Sequence, residues 1–193
     1  MKIIILRHGD RFDSPLYFTP LTLKGLTQAS KLADELTSYN IDIIYSSPFL
    51  RTLQTVYPFC IKTNKKINIE NAFYECLSSE EFNYHNYRHF PQELQLSHPH
   101  LLSIINNNYH TKLLVSNISY TETHQQIKNR VFPFIYNLCQ QHKHRNTTIL
   151  IVTHATIANA IKIFFNHEVK FDDHVPTAKP IIIDVPVNIN GPA

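Results

Sequence analysis

A chain of 193 residues, 43% hydrophobic and 17% charged, has enough apolar mass for one buried core, which excludes disorder as its default state. Its formal charge is only +3 with histidines neutral, and the basic residues are scattered rather than striped, so neither nucleic acid nor a membrane surface is implied as a partner. No apolar run nears membrane-spanning length, residues 3–6 are too short for a signal-peptide core, and Cys60, Cys76 and Cys139 form no disulfide framework, so the expectation is one cytoplasmic domain over 1–193.

Residues 3–6 (IIIL) are short, apolar and β-branched, which predicts a buried strand. Pro15 and Pro20 break the following loop, and Thr22 opens a predicted helix to about residue 39. Leu26, Ala29, Ala33 and Leu36 repeat along one face of it. A second strand is read over 41–46, and Ser47-Pro48 offers an N-cap and a first-turn proline for a helix through Arg51 to about Tyr57. A short third strand follows at 67–69, and the charged 62–66 stretch reads as solvated surface.

From about 76 to 118 the pattern dissolves into an aromatic-, histidine- and asparagine-rich insertion whose elements the sequence does not place. Ser119 to Glu122 has the spacing of a capping box and predicts a helix to about residue 142. "TILIVT" (148–153) is the clearest strand, followed by a helix over 155–165 and a last strand over 181–185. Strands alternating with amphipathic helices predict a three-layer α/β/α sandwich with a largely parallel central sheet.

Such sheets bind ligands beyond the carboxyl ends of their strands. Arg7, His8 and Arg11 follow the first strand, Arg51 follows the second, and His154 follows "TILIVT". Histidines and arginines meeting there suit a phosphoryl group, because each planar guanidinium can grip two oxygens and stays charged. Gly9 would let the backbone approach the anion closely. A neutral imidazole is a competent nucleophile toward phosphorus, and a carboxylic acid is then needed for the leaving oxygen. Glu75 is the candidate, with Glu70, Glu80 and Glu81 as rivals.

Other patterns read as bland. His85/His89, His98/His100 and His142/His144 lack a completing ligand at metal-site spacing, so no metal is expected. Cys139 and Arg145 satisfy the Cys-x5-Arg spacing of cysteine phosphatases. There the helix precedes and the strand follows, the reverse of what that chemistry requires, so Cys139 belongs on a buried helix face. Phe73, Tyr74, Phe82, Tyr84, Tyr87 and Phe90 are read as core. Any of them lining the pocket would favour an aromatic or apolar phosphate ester.

"LRHG" after a first strand, "SSPFLRTLQT" after a second and "VTH" ending a late strand together resemble the histidine phosphatase superfamily, with its phosphoglycerate mutase-like fold. The resemblance implies that His8 becomes the phosphohistidine, Arg7 and Arg51 bind phosphate, His154 is the second pocket histidine and Glu75 the proton donor. It implies no cofactor. "RHGDRFDSP" and "SYTETHQQIKNRV" are similar to the small phosphatases related to the suppressor of T-cell receptor signalling and to ecdysteroid-phosphate phosphatases, and Arg11 matches their second phosphate-contacting arginine. The chain has no tryptophan and lacks the segment that follows RHG in sugar-phosphate mutases, which favours hydrolysis of a phosphorylated small molecule or phosphopeptide. The chain departs from the family pattern at Ala155, where glycine is usual. The alternatives are a mutase-type phosphotransferase and a non-catalytic phosphate- or partner-binding protein.

Overall fold

The computed structural model describes residues 1–14, 16–76, 92–114, 117, 121–186 and 188–189. Its five strands are β1 (Lys2–Arg7), β2 (Ile43–Ser46), β3 (Asn68–Ile69), β4 (Thr148–Thr153) and β5 (Pro180–Asp184). They lie in the order β3-β2-β4-β1-β5. β1 runs parallel to β4 with Arg7 opposite Thr153, β2 and β3 are also parallel, and β5 alone is antiparallel against β1.

Side chains alternate across a strand, so each face of the sheet needs its own cover. Ile4, Leu6, Ile44, Leu150 and Val152 pack with residues of α1 (Leu23–Thr37) and α2 (Leu50–Thr63). Ile3, Ile5, Tyr45, Ile149 and Ile151 pack on the other face against α4 (His124–His142) and α5 (Ala155–Phe164). The three-layer expectation holds. A short α3 (Gln92–Ser97) and two 3-10 turns, Asn71–Phe73 and Pro99–Ile104, lie between β3 and α4.

Four details differ from the sequence reading. Thr22 does cap α1, accepting from the Gly25 amide, but Leu26 is solvent-exposed and Gly25, Ala29, Leu32, Ala33 and Leu36 make the buried face. Ser47 does not cap α2: Phe49 holds that position without a side-chain bond. That helix also runs through Pro58 to Thr63, taking Lys62 with it, because burial of Phe59 and Cys60 outweighs the one hydrogen bond a proline removes. The capping box before α4 is Thr123 with Gln126, so the helix starts at His124; Ser119 lies outside the described residues. Among the described residues no helix is long and apolar enough to cross a membrane.

Candidate active site

The carboxyl ends of β1, β2 and β4 deliver the cluster. The His8 amide donates to Thr153 O (3.0 Å) and the Ser47 amide to Val152 O (2.9 Å), which extends the ladder one residue past each strand end. His8 and His154 thereby stand edge to face, ring centroids 5.3 Å apart, both buried.

His8 Nδ1 lies 2.8 Å from Gly9 O. A carbonyl only accepts, so Nδ1 carries the proton and Nε2 keeps its lone pair. The Gly9 amide donates to Thr55 Oγ1 (2.9 Å) and is therefore committed. A Cβ on Gly9 would lie 3.0 Å from the Gly25 carbonyl oxygen, and one on Gly25 only 2.0 Å from Asp10 O. Both glycines thus serve the close docking of this loop on α1.

Glu75 Oε2 lies 3.1 Å from His154 Nδ1 and 3.5 Å from Arg51 Nη2. On the far side of the ring, His154 Nε2 is 2.9 Å from Ser47 Oγ, the contact that occupies the serine expected as a cap. Arg51 is fully buried in the first turn of α2. Its Nη1 donates to Leu16 O (2.9 Å), and its guanidinium lies 4.5 Å over the Phe49 ring.

Arg7 Nη1 donates to Val175 O (2.6 Å), while its Nε is buried with no hydrogen-bond partner among the described residues, as an anion-binding donor would be. Arg11 is turned onto its own loop, donating to Phe12 O (2.7 Å) and Ser14 O (2.6 Å), and these bonds do not bring it to the histidines.

Of the rival carboxylates, Glu70 is buried but committed to the Ala72 amide, Thr111 Oγ1 and Tyr109 OH. Glu80, Glu81, His85, His89, Phe82, Tyr84, Tyr87 and Phe90 lie outside the described residues. Phe73 is core, whereas Tyr74 is buried at the edge of a cavity of about 590 Å³ that Tyr17, Pro48, Asn71, Tyr109 and His110 also line. Cys139 sits on the buried face of α4, where burial pushes its thiol up to about 12, the opposite of an activated nucleophile.

Some supporting residues carried no signal in the sequence. The Ala178 amide donates to Arg7 O (3.0 Å) with φ at +50°, a left-handed conformation uncommon for alanine, so an irregular segment after α5 clamps Arg7 at both its backbone and its side chain. Ala155 opens α5 with no positive φ, so the backbone there requires no glycine.

Residues 3–172 match the histidine phosphatase superfamily (branch 1). The chain belongs to that superfamily. It is 24% identical over 176 residues to phosphoserine phosphatase 1 of Hydrogenobacter thermophilus, which covers 83% of this chain and 74% of that protein. Its fold is similar to that of the ecdysone phosphate phosphatase from Bombix mori in complex with tungstate, with TM-score 0.68, 17% identity and coverage of 100% and 96% of the two chains. It is also similar to a putative alpha-ribazole-5'-P phosphatase from Escherichia coli, with TM-score 0.66, 22% identity and coverage of 96% and 91%.

The charges in this histidine phosphatase follow from its geometry. Burial, then His154 and Arg51, holds His8 well below the ordinary imidazole range, so the ring is neutral at pH 7. Burial also lowers His154, to about 4, although Glu75 opposes the shift. Burial pushes the Glu75 carboxyl up, but the adjacent His154 ring and the Arg51 charge outweigh it and hold the group ionised.

All three folded pKa values lie below their unfolded values, so the unfolded chain binds more protons in acid. Stability is therefore fully present above about 6.5, the unfolded histidine value, and is lost as pH falls. The melting temperature is expected to drop from pH 7 to pH 5, and to drop less in His154→Asn. An equal drop in that variant would remove the histidine from the explanation.

Proposed function

We propose that this phosphoric monoester hydrolase works through a covalent phosphohistidine on His8, and that its substrate is a phosphorylated small molecule. The observation that carries the reading is the tautomer: with Nδ1–H bonded to Gly9 O, the Nε2 lone pair is the reacting atom. Arg7 and Arg51 would hold the non-bridging oxygens of the phosphoryl group. His154 Nδ1–H, now facing Glu75, would turn its hydrogen bond to the oxygens that gain charge in the transition state.

In the first step Nε2 forms a bond to phosphorus and the bond to the leaving oxygen breaks. Glu75 is ionised in the free protein, so it takes its proton from the substrate monoanion as the bound phosphate opposes the field of Arg51. It then passes that proton to the leaving oxygen. The phosphorylated ring carries positive charge, which the Gly9 carbonyl stabilises. In the second step Glu75 takes a proton from water, the water oxygen bonds to phosphorus and the P–N bond breaks. Inorganic phosphate and neutral His8 result, and Glu75 gives its proton to the departing phosphate to become ionised again.

The fold and the phosphatase relatives support this reading. One observation favours a second reading: ligating atoms of His8, Glu75 and His154 lie within 4.8 Å of one another, the span of a metal site. Arg51, 3.5 Å from Glu75, argues for an anion in that space instead. Chelator-treated protein is expected to retain full turnover of an aryl phosphate, with orthovanadate inhibiting competitively. Loss of turnover on chelation, restored by Zn²⁺, would establish the metal reading.

A further inference from the structure

Beside the main chain of Glu75, Arg130 of α4 and Glu122 form a side-on ion pair, with Nε to Oε1 at 2.6 Å and Nη2 to Oε2 at 2.7 Å. The side chains are 5% and 2% exposed, so water does not screen the pair. The outer edge of the same guanidinium faces main chain. Nη1 donates to Ala72 O (2.6 Å), and Nη2 to Tyr74 O (3.0 Å) and Glu75 O (3.4 Å). The carbonyl left over in that run, Phe73 O, accepts from Thr153 Oγ1 (3.0 Å), and Thr153 immediately precedes His154.

Four consecutive carbonyls, Ala72 to Glu75, are thus held from one arginine and one strand end. They need it. The 3-10 turn stops at Phe73, Tyr74 leaves it in an extended conformation, and Glu75 belongs to no helix or strand that could fix it. A planar fork reaching several acceptors at once is what arginine supplies and lysine does not. Glu122 holds the fork by occupying its other edge, so the guanidinium cannot rotate away from the turn.

We infer that Arg130, locked by Glu122, is a positioning residue for the proton-transfer carboxylate: it fixes the turn that keeps Glu75 within reach of His154 and Arg51. This rests on the role proposed above for Glu75. Its hydrogen bonds reach the site through the main chain of 72–75, and its charge also bears on His154.

The test separates positioning from general stability by the acidity of the leaving alcohol. Protonation matters most for an alkyl phosphate and little for 2,4-dinitrophenyl phosphate, whose leaving group departs as an anion. Arg130→Lys keeps a cation beside Glu122, and Glu122→Gln keeps a hydrogen-bonding side chain beside Arg130, so each reaches the same turn by a different change. Both are expected to lose about 100-fold in kcat/KM for the alkyl ester and to stay within about threefold for the dinitrophenyl ester. In a Glu75→Gln background, Arg130→Lys should add no further alkyl-selective loss. Equal losses on both esters, or a melting-temperature drop with the ratio of the two rates unchanged, would overturn the inference and leave the pair a stabilising contact. If the unaltered protein cleaves neither ester, it is the phosphatase mechanism that fails.

Discussion

His8→Ala is expected to lose turnover by at least about four orders of magnitude, together with all acid-labile phosphate labelling of the protein. The size follows from what the side chain does. In the proposed mechanism it supplies the atom that bonds to phosphorus, and His154 is engaged elsewhere, with Nδ1 facing Glu75 and Nε2 facing Ser47. Binding should survive better than catalysis, because Arg7 and Arg51 stay in position, so vanadate or phosphate affinity should change far less than kcat. The variant should also resist acid better than the unaltered protein, since a buried imidazole that refuses its proton has been removed. Rapid quenching of a reaction with radiolabelled substrate, followed by acid and base treatment, reads the labelling directly. Wild-type turnover in the variant would end the covalent mechanism.

Glu75→Gln is expected to reduce kcat/KM for alkyl phosphates by about 10² to 10⁴, the usual range for a lost general acid. Aryl esters with acidic leaving groups should be affected much less in that parameter, yet their kcat should still fall. The reason is that the same carboxylate serves the second step, where it activates water whatever the first leaving group was. Phosphoenzyme should therefore accumulate in the variant and appear as a burst of phenolate at mixing. The amide also leaves the Arg51 charge without its carboxylate 3.5 Å away, so phosphate should dissociate more slowly rather than faster. A variant that loses all esters equally and shows no burst would place Glu75 outside proton transfer.

What the sequence revealed and what it hid divide along physical lines. Residues 3–6 and 149–152 are apolar on every position because both faces of their strands are covered, and such runs announce themselves. Once those strands were placed, His8, Arg51 and His154 followed from their positions just past strand ends. Arg51 is legible even though the helix carrying it differs from expectation at both ends, because two residues of slippage at a cap, from Ser47 to Phe49, do not move the first turn away from the sheet edge. Glu75 was reachable only as one of several carboxylates, since nothing local distinguishes it from Glu70. What does distinguish them is long-range: Glu70 is spent on Tyr109 and Thr111, and Glu75 faces His154. The clamp on Arg7 from Val175 and Ala178 left no trace in pattern, and Arg130 lies in a stretch whose likeness to a family says nothing of its fork on main-chain carbonyls. Carbonyls are common to every residue, and a side chain that serves the backbone needs no partner of recognisable type.

The pairing of β1 with both β4 and β5 carries a consequence for how the molecule comes into being. β1 is the second strand from the edge, and each of its neighbours lies more than a hundred residues downstream. During synthesis β1 must therefore wait, solvated or sheltered by α1 and α2, until β4 and β5 have left the ribosome. Contacts of such long range make folding slow, since loop closure comes before any gain from pairing. His8 and His154 come together only with the pairing of β1 and β4, so the site cannot form in a chain that stops short of β4. Appearance of activity would then time the completion of the sheet.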